Sequence, residues 1–198
     1  MKSLVIPVDP GEFSFKKLLL HICCAPDAVY VLSELRKFVE IHGYFYNPNI
    51  HPENEYFHRL EETEKVCRHL QVPLITGLYD ATRWFEMTRG LETEPEGGNR
   101  CFLCYAMRLE VTADEALKNN MDSFAAVLTI SPHKNADKIN QLGTEIGFRK
   151  GIRYIASNFK KKEGFKKSVK LSDELGLYRQ KYCGCEFSIT ASCQPRGN

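Results

Sequence analysis

Apolar residues along the chain fall into two kinds of run, short unbroken ones and longer ones spaced three and four apart. Leu18-Leu19-Leu20-His21-Ile22 is the first unbroken run. It predicts a buried parallel strand, because a strand covered on both faces needs no polar alternation. Pro26 suits the first turn of the following helix, and Val29, Leu32 and Leu35 carry helical spacing to about Lys37. Phe38 to Tyr46 is rich in β-branched and aromatic residues and predicts a second strand, closed by the loop Asn47-Pro48-Asn49-Ile50-His51-Pro52. Pro52 opens a helix to about Leu70, with Tyr56, Leu60, Thr63, Cys67 and Leu70 along one face. Pro73 to Thr76 predicts a third strand. Two helices follow between Asp80 and Asn120, separated by the loop Glu94 to Asn99, and the second carries Cys101, Cys104, Met107, Arg108 and Val111.

Ser123 to Ile130 predicts a fourth strand, closed by Ser131-Pro132-His133. Asn135 to Gly147 then reads as a helix, Arg153 to Ser157 as a fifth strand, Asn158 to Gly164 as a basic loop and Phe165 to Leu175 as a helix. From Gly176 onward the pattern predicts mostly irregular chain. Strand and helix alternating in this way mean a parallel sheet with right-handed crossovers and helices on both faces. The expected architecture is a Rossmann-like, three-layer α/β domain over residues 18–198 with a helical C-terminal part, preceded by an N-terminal extension over residues 1–17.

Composition narrows this picture only slightly. With 198 residues, 43% hydrophobic and 26% charged, the chain reads as one ordinary globular domain. Lys plus Arg (27) barely exceeds Asp plus Glu (25), so overall charge does not announce nucleic acid. No apolar run approaches the roughly 20 residues of a membrane helix, and the start is too short in apolar residues for a secretory signal. The expectation is a cytoplasmic protein with no membrane partner, in a compartment where thiols stay reduced. Eight cysteines there point to metal or redox chemistry rather than to a disulfide framework.

Six of those cysteines come in close pairs: Cys23-Cys24, Cys101 and Cys104, Cys183 and Cys185. The first pair sits where the first strand becomes a helix, which is where sites form in open α/β sheets and where the helix dipole favours thiolate. Cys101 and Cys104 lie three apart at a helix start and point the same way. Both zinc and a 4Fe–4S cluster accept four cysteines. Adjacent cysteines on extended backbone diverge, which suits a cluster better than one small ion, or two neighbouring centres. Cys183-Gly184-Cys185 fits a labile disulfide or a second-metal chelate equally well. Cys67 on its apolar stripe and the isolated Cys193 read as packing residues.

Four stretches together resemble the QueH-type epoxyqueuosine reductases: Leu18 to Pro26 (LLLHICCAP), Tyr46 to Pro52 (YNPNIHP), Cys101 to Tyr105 (CFLCY) and Tyr178 to Cys185 (YRQKYCGC), with Ser131 to Asn135 (SPHKN) fitting as well. The resemblance implies reduction of epoxyqueuosine to queuosine at the tRNA wobble position, an epoxide converted to an alkene with loss of water. It also implies a 4Fe–4S cluster at Cys23, Cys24, Cys101 and Cys104, a redox-active pair at Cys183 and Cys185, and a fold of the HUP type. The family usually reads CCAPC, whereas Asp27 follows Pro26 here. A carboxylate cannot act as a redox thiol, so Asp27 is read either as a helix cap or as a ligand of an additional mononuclear iron.

An RNA substrate asks for a positive surface. Lys160, Lys161, Lys162, Lys166, Lys167 and Lys170 crowd one loop and helix start beside Phe159 and Phe165, while Arg100, Arg108 and Arg179 neighbour the thiols. Tyr182, His133 and Asp27 are the candidate proton donors. The expected partners are tRNA carrying epoxyqueuosine and an unidentified electron donor. Two rivals stand beside this reading. One is a zinc-stabilised RNA-binding module without catalysis. The other is a nucleotide-dependent tRNA-thiolating enzyme, disfavoured because His21 to Pro26 (HICCAP) offers no glycine-rich phosphate loop.

Overall fold

A computed structural model of the chain describes residues 3–6 and 15–192. Among the described residues five strands form one sheet: β1 (Lys17–His21), β2 (Glu40–Phe45), β3 (Leu74–Thr76), β4 (Ser123–Ala126) and β5 (Arg153–Tyr154). All are parallel, in the order β3-β2-β1-β4-β5. The helices are α1 (Ala25–Leu35), α2 (Glu53–Leu70), α3 (Ala81–Thr88), α4 (Asn99–Lys118), α5 (Ala136–Lys150), α6 (Gly164–Glu174) and α7 (Glu186–Ser192). Helix α1 packs with α2 and α6, and α4 packs with α5 and against β1 and β4. The expected parallel, three-layer α/β architecture is the one observed.

The order of the strands decides where a site forms. The chain runs outward from β1 through β2 to β3, returns across the sheet in α4, and runs outward the other way through β4 to β5. The carboxyl ends of β1 and β4 therefore flank the switch point, where crossovers leave the sheet in opposite directions and a crevice opens. Cys23 and Cys24 lie directly beyond β1. The strand itself is anchored by fully buried Leu18, Leu19 and Leu20.

Three expected elements differ. The apolar run Ser123 to Ile130 is a strand only to Ala126, after which Val127–Ile130 coils into a 3-10 turn. Its partner β1 ends at His21, opposite Ala126, so the next residues have no ladder to join. Burial alone does not distinguish the two conformations, because all four turn residues are buried. Strand β5 is likewise shorter than Arg153 to Ser157. Residues beyond it pair instead with Leu4, whose N–H donates to the Ala156 carbonyl (2.7 Å) and whose carbonyl accepts from Asn158 (2.8 Å). Leu4 and Ile6, from the stretch read as an extension, are buried in the core. Finally, Glu186–Ser192 is helical where irregular chain was expected. Phe187 stacks on Trp84 with centroids 5.9 Å apart, and this tertiary contact overrides the weak helix propensity of Phe187, Ile189 and Thr190.

Candidate metal and redox site

Beyond β1 the chain bends at Cys23 and enters α1 through Cys24, whose backbone is extended (φ −168°, ψ 158°), with Pro26 in the first turn. The bend turns the two adjacent thiols toward each other instead of apart, with sulfurs 3.9 Å apart. Asp27, in the same first turn, accepts from the Cys23 thiol at 3.5 Å. The ligand atoms of Cys23, Cys24 and Asp27 all lie within 4.8 Å of one another. Asp27 thus occupies a favourable place at the helix N-terminus and also belongs to a three-donor group. The turn is braced from β2: Asn47 Nδ2 donates to the Ile22 carbonyl at 2.8 Å, and His21 Nε2 meets the Tyr46 carbonyl at 3.0 Å. Burial, and then the nearby Arg108 charge, push His21 down to about 3, so its imidazole is neutral.

The second pair rides on α4. Cys101 stands in its first turn, where the Gly97 N–H donates to the sulfur at 3.2 Å, and Cys104 follows one turn later, buried. Arg100 locks the approach to this helix. Its Nη1 donates to the carbonyls of Leu91 (2.8 Å), Glu92 (2.9 Å) and Glu94 (2.6 Å). The Trp84 indole, fully buried, adjoins Cys104 and favours its thiolate, while burial, the larger effect, pushes that thiol up.

The third pair lies on residues 176–185, a strap between α6 and α7 that is held by side chains of α2. Glu62 Oε2 accepts from the Tyr178 N–H at 2.8 Å, and the Tyr178 hydroxyl donates to Glu55 Oε2 at 3.0 Å. Arg59 donates through Nη1 to the Cys183 carbonyl (3.0 Å) and through Nη2 to the Tyr182 carbonyl (3.2 Å). The His51 N–H donates to the Gly184 carbonyl at 2.7 Å, and the Tyr182 hydroxyl donates to the His51 carbonyl. Gly184 has φ 116°, and an added Cβ would stand 3.0 Å from Ile50 and 3.1 Å from Arg59. Only glycine fits there. Gln180 closes the arrangement, donating from Nε2 to the Cys24 sulfur at 3.0 Å.

One electrostatic field joins these loops. Burial opposes the charge on Arg108, but Cys104, Cys183, Cys23 and Tyr105 outweigh it and hold the guanidinium charged. Lys134 behaves in the same way: burial works against its ammonium, while Cys183, Cys23, Asp27 and Tyr105 hold it above the ordinary lysine range. Arg108 thus feels a thiol of each pair, and Lys134 thiols of the first and third. Four of these thiols, Cys104 among them, are pushed up. Cys23 is raised by its contact with Cys24 and by burial, Cys101 by burial, and Cys185 by burial to about 11. Such thiols stay protonated on their own; a metal centre held here would take them as thiolates, whose negative charge Arg108 and Lys134 would balance.

The residues fit a metal–sulfur centre. Buried Arg108 Nη2 and Trp84 Nε1 have no hydrogen-bond partner among the described residues, although both side chains adjoin the thiols. Buried N–H groups without partners are costly unless a ligand supplies acceptors. A centre rich in sulfur does so. Cys101 and Cys104 lie outside the tight group of Cys23, Cys24 and Asp27.

The remaining candidates from the sequence separate into two sets. His133 is exposed, and the Tyr182 hydroxyl is committed to a backbone carbonyl, so neither is placed as a proton donor. Arg100 is spent on three carbonyls and lies over the Phe187 ring, with 3% exposure, so it offers no free fork to a phosphate. Lys161, Lys162 and Lys166 are exposed, the last paired with Glu163 at 2.9 Å, and Arg179 is exposed near Asp173 at 3.9 Å. Helix α6 docks beside the thiols, its Ser168 hydroxyl donating to the Pro26 carbonyl, so this basic surface borders the site. Lys160 differs from its neighbours: Nζ donates to the Lys134 carbonyl at 2.6 Å and fixes the loop that carries Lys134. Cys67 is buried and pushed up to about 12 by that burial, as a packing thiol should be, and Cys193 lies outside the described residues.

Sequence reasoning missed Lys134, Arg59 and Gln180. Lys134 and Gln180 lie inside stretches already singled out for other members. Arg59 shares the apolar face of α2 with Tyr56 and Thr63, and a buried arginine at such a position is the signal that finds it.

Solved structures and relatives agree with this picture. The [4Fe-4S]-containing U34-tRNA thiolase NcsA of Methanococcus maripaludis superposes with a TM-score of 0.57 at 13% identity, covering 89% of this chain and 62% of that one. A "predicted subunit of tRNA methyltransferase" from Methanocaldococcus jannaschii gives 0.55 at 17% identity, covering 80% and 75%. Both share the fold. Among the described residues no helix is long and apolar enough to cross a membrane. Epoxyqueuosine reductase QueH of Streptococcus pyogenes serotype M1 is 40% identical over 177 residues, 86% of this chain and 69% of that protein. The QueH of Thermotoga maritima is 38% identical over 175 residues, 87% and 90% of the two chains. The family described as "Epoxyqueuosine reductase QueH" matches residues 18–191. With residues 18–191 matched by the family and relatives 38–40% identical over most of both chains, the chain belongs to the QueH family of epoxyqueuosine reductases.

Proposed function

We propose that this protein reduces epoxyqueuosine to queuosine in the wobble position of tRNA. The observation that carries the reading is the group of Cys23, Cys24 and Asp27 just beyond β1, reached by the strap of Cys183 and Cys185 through the Gln180 hydrogen bond to Cys24. Cys23, Cys24, Cys101 and Cys104 would hold a 4Fe–4S cluster, and the Cys23, Cys24 and Asp27 group also suits an additional iron. When bound, the metal centre supplies one-electron transfer and Lewis acidity.

The chain's own residues account for the rest. Converting the epoxide to an alkene takes up two electrons and two protons, breaks C–O bonds and releases water. Oxidation of Cys183 and Cys185 to a disulfide releases two electrons and two protons, which balances the reaction; an external electron donor then restores the dithiol. Lys134, held charged beside Cys23 and Asp27, would stabilise negative charge developing on a leaving oxygen brought to these thiols. Lys161, Lys162, Lys166 and Arg179 offer the phosphate backbone a positive border beside the site. The wobble nucleoside must leave its stack to reach the thiols.

The test is an anaerobic assay of iron-reconstituted protein with a strong reductant and tRNA containing epoxyqueuosine, with nucleosides read by mass spectrometry. Queuosine is the expected product. Its absence while the cluster is spectroscopically intact would overturn the proposal. Colourless protein holding zinc alone would favour the binding-module reading instead.

A further inference from the structure

The loop Asn47 to Pro52 and the buried arginine of α2 have so far served only as scaffolding, yet together they connect two of the thiol pairs. Asn47 braces the Ile22 carbonyl just before Cys23, and four residues later the His51 N–H holds the Gly184 carbonyl between Cys183 and Cys185. Arg59 stands behind this loop, 2% exposed. Its Nε donates to Glu55 Oε1 at 2.7 Å, its two terminal nitrogens hold the carbonyls of Tyr182 and Cys183, and its plane lies 5.1 Å from the Tyr182 ring centroid. All three nitrogens of the fork are thus used, on three different groups. Lysine has one nitrogen and cannot reproduce this.

We propose that Arg59 is the positioning residue of the Cys183–Cys185 pair, fixing the strap so that these thiols stand against Cys24. The proposal rests on the reading of Cys183 and Cys185 as the reactive pair. Packing alone explains neither the choice of residue nor its setting. The strap makes backbone contacts with α2 at Tyr178 through Glu62, so a purely structural clamp already exists one turn further along the helix. Arg59 acts where the thiols are. The absence of a Cβ at Gly184 lets Arg59 Nη1 approach. The same strap reaches the β1 turn through Gln180, which donates to the Cys24 sulfur at 3.0 Å. A shift of the strap carbonyls on losing this fork moves Cys183 relative to Cys24, and misplacement of about 1 Å at a reacting group costs on the order of 100-fold in rate.

The experiment compares Arg59→Gln and Arg59→Lys with the unaltered full-length protein, iron-reconstituted and anaerobic. Three quantities are read: kcat and KM on tRNA containing epoxyqueuosine, iron content, and the alkylation rates of Cys183 and Cys185 relative to Cys101 by mass spectrometry. The expected result is a kcat lower by about 100-fold with KM within about twofold, since phosphate contacts lie elsewhere. Iron content stays unchanged, and Cys183 and Cys185 react about tenfold faster relative to Cys101, as loss of roughly one hydrogen bond's worth of restraint allows. Arg59→Lys behaves like Arg59→Gln. Unchanged kcat, or faster alkylation of every cysteine together with loss of iron, would overturn the proposal. Should Arg59→Gln fail to fold, Glu55→Gln weakens the same fork from behind and gives the same pattern at about tenfold. A parallel Cys185→Ser separates the two readings. If that variant is inactive while Arg59→Gln is active, only the positioning role fails. If Cys185→Ser is fully active, the reactive-pair reading fails, and the alkylation ratio alone then decides whether Arg59 holds the strap.

Discussion

Two of the thiol pairs solve the same problem by opposite means. Cys101 and Cys104 stand one turn apart on α4, a helix of 20 residues whose own backbone fixes their spacing. Cys183 and Cys185 stand on a strap without regular structure, and their position comes from Glu55, Glu62, Arg59 and His51, residues more than a hundred positions away. The first pair is rigid because the helix is rigid. The second is held only as firmly as its hydrogen bonds. That difference suits the proposed roles, in which the helix-borne pair would hold metal and the strap pair would close and reopen as a dithiol.

The sharpest way to break this comparison is to remove one thiol from each pair. Cys104→Ser is expected to lose iron and all turnover, while Cys185→Ser keeps most of its iron and loses turnover. Metal analysis with the tRNA assay reads both, and equal iron loss in the two variants would erase the distinction. Next in size is Gly184→Val. A β-branched residue at φ 116° has neither the backbone freedom nor the 3.0 Å clearance from Ile50, and strain of this kind costs about 1–3 kcal/mol. Activity should fall by at least about 100-fold with the helix-borne pair unaffected, checked by iron content and by a thermal melt.

A pH series probes the same mounting from the other side. Burial pushes His51 down to about 4 from its ordinary 6.5, and it lies between Trp84 and Phe85 at centroid distances of 5.0 and 4.6 Å. The folded protein therefore keeps His51 neutral, while the unfolded chain protonates it below about 6.5. Stability from this group is present above 6.5 and is lost as pH falls from there toward 4, at no more than about 1.4 kcal/mol per pH unit. His51→Phe should flatten that part of a denaturation-versus-pH curve, and an unaltered slope would show that other groups set it. The smallest effect is expected at the surface. Lys161→Glu with Lys162→Glu should raise KM several-fold in a salt-dependent way and leave kcat alone, because exposed charges act through screened attraction to phosphate.

Much of the candidate site was legible in local pattern, and the reason is physical. Unbroken Leu18 to Leu20 allows a doubly covered strand and little else, so a turn carrying Cys23 and Cys24 at its carboxyl end follows from the sequence itself. The i, i+3 spacing of Cys101 and Cys104 has meaning wherever α4 lies. The setting of Arg100 and Tyr182 was not legible, because polarity suggests exposure and only the fold reveals that backbone carbonyls at Leu91, Glu92 and Glu94 hold Arg100 Nη1 and that the His51 carbonyl holds the Tyr182 hydroxyl. The early end of β4 was invisible for a related reason: a strand stops where its partner stops, and β1 stops at His21.

The chain alone, then, determined the alternation of strands and helices, the chemistry of its donors and the spacing within each thiol pair, since these depend on neighbours along the backbone. The tertiary structure alone decided that the strap reaches Cys24 through Gln180, that Asp27 joins Cys23 and Cys24, and that Arg59 holds the strap. Those are contacts between residues far apart in the chain. They exist only because the order β3-β2-β1-β4-β5 brings the carboxyl ends of β1 and β4 side by side and lays the C-terminal segment across α2.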